Sequence, residues 1–151
     1  MLDHARIRGL LRQRPPMILL DTVGEFSPTS LTATKAITGS EHCYQNLPDN
    51  TPLAGFAYPQ ALMVESFGQA CSLLWTLAGL GPADRIPLLV AVNGLAFHAS
   101  PLPGDVLEHQ VRLVHHSSTA CEFTGRSHVK GTTVLDIGSL LVASLPGPSP
   151  T

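Results

Sequence analysis

"YPQALMVESFGQACSLLWTLAG", residues Tyr58 to Gly79, reads as one helix with apolar side chains on nearly every face and a single carboxylate, Glu65, set within it. Pro59 stands near its start, where a missing backbone donor costs little. A helix with one apolar stripe can rest on a surface, but a helix that is apolar all round has to be wrapped. The rest of the chain must supply the wrapping, and it must also explain the acid.

Downstream of the helix the chain turns to strand chemistry and stays there. Residues 86–99, 105–116, 119–129 and 133–145 are four strand-like runs, with "PLPGD" and "KGTT" as turns between them. The second run alternates, with Leu107, His109, Val111 and Leu113 on one face and Val106, Glu108, Gln110, Arg112 and Val114 on the other. Upstream, residues 2–12 fit a short helix stopped by Pro15 and Pro16. Two paired strands follow, "MILLDTVGEF" (17–26) and "TSLTATKAI" (29–37). Between Gly39 and Tyr58 no period is sustained, and a loop of that length in a compact domain is more often functional than accidental. Strands segregated around one helix predict an α+β domain spanning 1–151, a curved antiparallel sheet folded round a central helix, with the tail from 146 frayed. That description fits the hot-dog fold.

Composition narrows the function. Only 13% of residues are charged and the formal net charge is −2, which leaves no footprint for nucleic acid. Lys and Arg are scattered, against a basic membrane-surface helix, and no apolar run reaches a transmembrane length. Cys43, Cys71 and Cys121 form no CxxC pair, and with no signal peptide they point to reduced thiols in the cytoplasm. So little charge also points to surface hidden against another subunit.

Three segments carry a family resemblance. "IRGLLRQRPPMILLDTV" resembles the opening I-x-x-L-L-P-H-R-x-P-M-L-L-V-D-x-V of the hot-dog 3-hydroxyacyl-acyl-carrier-protein dehydratases. "YPQALMVESFGQA" resembles their helix M-P-G-V-L-I-I-E-A-M-A-Q-A, and "FHASPLPGDVL" their F-R-R-P-V-x-P-G-D-x-L. The resemblance places Glu65 on the family's helix carboxylate and Gln69, read as a substrate-binding residue, on the glutamine one turn further on. Helical spacing puts Glu65, Gln69, Ser72 and Thr76 on one polar stripe, which equally fits a surface acid facing solvent or a partner chain.

The family's G-H-F-P-G histidine has no counterpart, since its spacing from the helix acid falls on Thr51. A related branch, the dehydratases of aryl-polyene and similar polyketide-like pathways, carries its histidine further upstream. "SEHCYQNLPDNTPLAGFAYP" resembles that pattern and makes His42 the candidate base, with His98 in reserve. His109, His115, His116 and His128 lie on strands and are read as facing solvent or an edge. His115–His116 lacks the further ligands of a metal site.

What the resemblance implies is elimination of water from a 3-hydroxyacyl thioester carried by acyl carrier protein, with no metal and no organic cofactor. A neutral imidazole suits removal of the proton beside the carbonyl. A carboxyl in an apolar setting, where burial raises its pKa, suits protonation of the departing hydroxyl. Backbone N–H groups at the helix start suit the developing enolate oxygen, where Gln60 replaces the family's glycine and Gly55 offers a second close approach. In the family the histidine and the acid come from different subunits, so the partner is a second hot-dog chain, in a homodimer or a heterodimer. Two alternatives stay open: an acyl-thioesterase that uses the helix carboxylate to activate water, and a non-catalytic subunit that shapes a partner's acyl tunnel.

Overall fold

The structure, a computed structural model, describes residues 1–147, so the expected fraying of the tail lies, from residue 148 on, outside the described residues. In chain order the elements are α1 (His4–Leu10), β1 (Thr22–Phe26), β2 (Ser30–Ala36), 3-10 turns at His42–Tyr44 and Leu53–Phe56, α2 (Gln60–Leu77), β3 (Arg85–Phe97), β4 (Val106–His116), β5 (Ala120–Val129) and β6 (Thr132–Pro146). The six strands form one antiparallel sheet in the order β1-β2-β4-β5-β6-β3. That sheet curves round α2, which touches β2, β3, β4 and β5 as well as α1. This is the hot-dog arrangement expected from the helix.

The wrapping follows from the side chains. Met63, Phe67, Ala70 and Leu74 recur at three- and four-residue spacing along α2 and are fully buried. Leu31, Ala33 and Ile37 of the β2 segment and Leu107 and Val111 of β4 meet them from the sheet. Gly125 on β5 is small for a reason. A Cβ there would meet the Phe67 ring at 2.9 Å and run into the Gln110 carbonyl of the neighbouring strand. The glycine is the recess that lets the helix settle on the sheet.

Two expectations change. The run 17–26 is not one strand, for only Thr22–Phe26 pairs with β2. Residues 17–19 give their backbone groups to side chains of α2 instead: Leu19 N–H donates to Gln69 Oε1 (2.8 Å), and the Leu19 and Met17 carbonyls accept from Ser66 Oγ and Gln69 Nε2 (2.7 Å each). A segment whose backbone groups are satisfied by a helix has none left there for a ladder. The second change is His109, which was expected at solvent or an edge and is fully buried. Its strand alternates as expected, so its side chain shares the inward face with Leu107 and Val111. The alternation outranks the polarity of a single residue. His115 and His116 do face solvent, and His128 is half-buried.

Candidate active site

Glu65 projects from the second turn of α2, half-buried, and accepts a hydrogen bond from Gln69 Nε2 at 2.9 Å. Gln69 is 1% exposed. Its amide is used on three sides: both Nε2 hydrogens are donated, to Met17 O and Glu65 Oε1, while Oε1 accepts from Leu19 N–H. The orientation of the amide is set by this pattern, since only the oxygen can receive the Leu19 N–H. Gln69 was expected at the substrate. Its amide ties the Glu65 carboxylate to the 17–19 strap. The polar stripe on α2 therefore does not run through solvent: Gln69 faces inward, Ser72 is half-buried, and only Thr76 is exposed.

Gln60 opens α2, and its side chain is exposed. Among the described residues nothing accepts from the backbone N–H groups of Gln60 and Ala61. These are orphan donors at the positive end of the helix dipole. Gly55 lies in the second 3-10 turn with its N–H donated to Pro52 O at 2.8 Å. A Cβ at Gly55 would meet Thr51 Cγ2 at 2.5 Å, a side-chain methyl that would have to turn aside.

His42 begins the first 3-10 turn, is exposed, and lines a depression of about 370 Å³ with Pro15, Pro16, Ile18 and Glu41. Glu65 is not among the lining residues, and among the described residues no hydrogen bond joins the two side chains. The two lie near one stretch of chain: His42 shares its depression with Pro15, Pro16 and Ile18, and Glu65 is tied through Gln69 to Met17 and Leu19. His98 sits elsewhere, exposed and paired with Asp136 at 2.9 Å, which Arg126 also approaches at 3.7 Å.

The turn that carries His42 is anchored by groups the sequence did not single out. Lys35 is buried, its Nζ 2.7 Å from Glu41 Oε1 and also donating to Ala36 O. Thr38 N–H adds a bond to the same carboxylate oxygen at 3.2 Å. Tyr44 donates to Phe56 O at 2.8 Å and meets the Phe56 ring edge-on. Burial, with the nearby Glu41 charge a lesser cause, pushes the Tyr44 hydroxyl up to about 12 and the Tyr58 hydroxyl higher still. Strand alternation puts Lys35 on the inward face with Leu31, Ala33 and Ile37, but only the folded chain shows the acid six positions on that meets it there. Glu41→Ala, which strands the Lys35 ammonium, is expected to cost about 2 kcal/mol in urea unfolding. The double change Lys35→Met with Glu41→Leu is expected to recover most of that loss, since it leaves no uncompensated charge.

No family model matches the chain. Curated relatives do. A "3-hydroxyacyl-[acyl-carrier-protein] dehydratase FabZ" from Anaeromyxobacter sp. (strain K) is 32% identical over 140 residues, which cover 90% of this chain and 86% of that protein. The protein of the same name from Myxococcus xanthus (strain DK1622) is 29% identical over 137 residues, covering 89% and 87%. Among solved structures, "The Dehydratase Heterocomplex ApeI:P" from Xenorhabdus doucetiae superposes with a TM-score of 0.71 at 18% identity, covering 95% of this chain and 91% of that one. A single-site mutant of the thioesterase PA1618 from Pseudomonas aeruginosa gives 0.69 at 14% identity, covering 97% and 96%. The structural likenesses establish a hot-dog protein. The sequence relatives then decide between the families that share the fold: the chain belongs to the FabZ-type dehydratases, a family of hydro-lyases.

Proposed function

We propose that the protein eliminates water from a 3-hydroxyacyl thioester on acyl carrier protein to give a 2-enoyl thioester, with Glu65 as the acid that protonates the leaving hydroxyl and His42 as the base that takes the proton beside the carbonyl. The observation that carries this reading is the Glu65 carboxylate held by Gln69 on a wrapped helix, at the position where the family keeps its acid. The free N–H groups at the start of α2 supply the donors a developing enolate oxygen requires. "EHCYQNLP" supports the aryl-polyene and polyketide-like branch as the closer kin, because it sets a histidine well upstream of the helix.

A second hot-dog subunit belongs to this proposal. Among the described residues β3 ends the sheet, runs for 13 residues with one side unpaired, and exposes Leu88, Leu89, Val90 and Leu95. A long apolar edge strand is a template for another strand. Pairing along it would bring the partner's counterpart of His42 within the same assembly as Glu65, as the family resemblance implies. The absence of G-H-F-P-G favours a further reading, in which a different hot-dog chain supplies the base and the functional unit is a heterodimer.

Mass spectrometry of a 3-hydroxyacyl carrier protein incubated with this chain alone tests the proposal. Loss of one water is expected, and His42→Ala is expected to slow it by a factor of about 10² or more. Release of free carrier protein would point to thioester hydrolysis. No change with the chain alone, and full activity of His42→Ala in a reconstituted complex, would assign the base to a partner.

A further inference from the structure

Beside Glu65 the core holds a serine-histidine-serine chain that the proposed reaction does not use. Ser66 Oγ lies 2.7 Å from His109 Nε2, and His109 Nδ1 lies 2.7 Å from Ser127 Oγ. All three side chains are fully buried. His109 and Ser127 are directly opposed in the β4–β5 register, which brings them together on the face toward the helix. The Phe67 ring meets the imidazole edge-on, with centroids 5.7 Å apart.

The arrangement resembles a nucleophile with its base, but its protons run the wrong way. Ser66 has one hydroxyl hydrogen, and it goes to the Leu19 carbonyl 2.7 Å away, which can only accept. The contact with His109 therefore takes its hydrogen from Nε2. Burial holds the imidazole neutral, its pKa lowered to about 3. A neutral ring has one N–H, so Nδ1 accepts and the Ser127 hydroxyl donates. The order is Ser127 to His109 to Ser66 to Leu19 C=O. A histidine that donates to a serine cannot activate it, and the fully buried hydroxyl is closed to solvent.

What the chain reaches is the strap. Leu19 has its carbonyl held by Ser66 and its N–H held by Gln69, and Gln69 in turn holds Glu65. We propose that Ser127, His109 and Ser66 are positioning residues, a clamp that fixes the 17–19 strap against α2 and thereby holds Gln69 and the Glu65 carboxylate in register for the reaction. The clamp rests on the role given to Glu65 above. The family helix E-A-M-A-Q-A, which this segment resembles, has alanine where Ser66 stands here. Hydrogen bonds in series polarise one another, so each member strengthens the last bond to Leu19.

The test uses the whole chain. In the wild type, the nitrogen resonances of His109 are expected to show the proton on Nε2 at neutral pH. In Ser66→Ala the Leu19 amide is expected to exchange its hydrogen about tenfold faster, the effect of one lost buried bond. The value of kcat is expected to fall about tenfold with KM within twofold. His109→Leu and then Ser127→Ala are expected to follow with smaller effects, in the order of their distance from Leu19. Ser127→Ala removes only the terminal donor and serves if His109→Leu does not fold. A proton on Nδ1, a Leu19 amide as protected in Ser66→Ala as in the wild type, or a kcat that falls only with the folded fraction would each overturn the clamp. If the wild-type chain removes no water, the role of Glu65 falls, while the tautomer and the Leu19 exchange still decide whether the clamp exists.

Discussion

Glu65→Gln is expected to lower the rate of water elimination by a factor of about 10² to 10⁴, the usual contribution of a positioned general acid. Glutamine is the informative replacement. It keeps the shape of the side chain and an oxygen that can accept from Gln69 Nε2, so the 17–19 strap and the packing of α2 stay in place. What it loses is the proton that the departing hydroxyl needs. The loss is expected in kcat, with KM and the thermal midpoint close to those of the wild type, measured by steady-state kinetics and by circular dichroism. Unchanged turnover in Glu65→Gln would remove the acid from the reaction and favour a subunit that shapes a partner's tunnel.

The second large effect is on stability in acid. His109 is fully buried with Ser66, Ser127 and Phe67 against it, and burial alone, with no charged neighbour, lowers its pKa from 6.5 to about 3. Above pH 6.5 the ring is neutral in both folded and unfolded chains and adds no pH dependence. Between pH 6.5 and pH 3 the unfolded chain binds a proton that the folded one excludes, so stability falls as the pH falls. The slope is about 1.4 kcal/mol per pH unit, which amounts to about 2 kcal/mol by about pH 5 and about 4 kcal/mol by about pH 3.5. Urea unfolding from about pH 7 to about pH 4 measures it. His109→Leu is expected to flatten that part of the curve, and an equal slope in the two proteins would show that His109 becomes charged without unfolding.

The two residues differ in how far they could be read from the chain. Glu65 stands out because a carboxylate interrupts a run that is otherwise apolar on every side, and a three-segment resemblance gives it a place. His109 carried an equally clear signal, the alternation of β4, but its polarity drew it toward the surface. In isolation a histidine among leucines and valines costs free energy to bury. Ser66 and Ser127 remove that cost by satisfying both ring nitrogens, and they come from α2 and β5, far from it in the chain. The strap is a similar case. Residues 17–21 have the composition of a strand and would extend β1 if their backbone groups were free, yet Gln69 and Ser66, far along the chain, claim those of residues 17–19. His42 shows the opposite limit: its turn is anchored by Lys35 and Glu41, but Glu65 does not line the depression that its side chain borders.

By itself the sequence determined what local periodicity and composition can carry: one helix that has to be wrapped, strands that alternate around it, little charge, and an acid where a soluble helix would normally bury none. Only the tertiary structure decided which polar groups meet across the core. Gln69 ties Glu65 to the strap, His109 turns inward, and Ser66 and Ser127 close the chain between them. The reason is physical. A hydrophobic pattern is a property of neighbouring positions, whereas a buried hydrogen bond is a property of two distant segments that meet only once the sheet has closed round the helix.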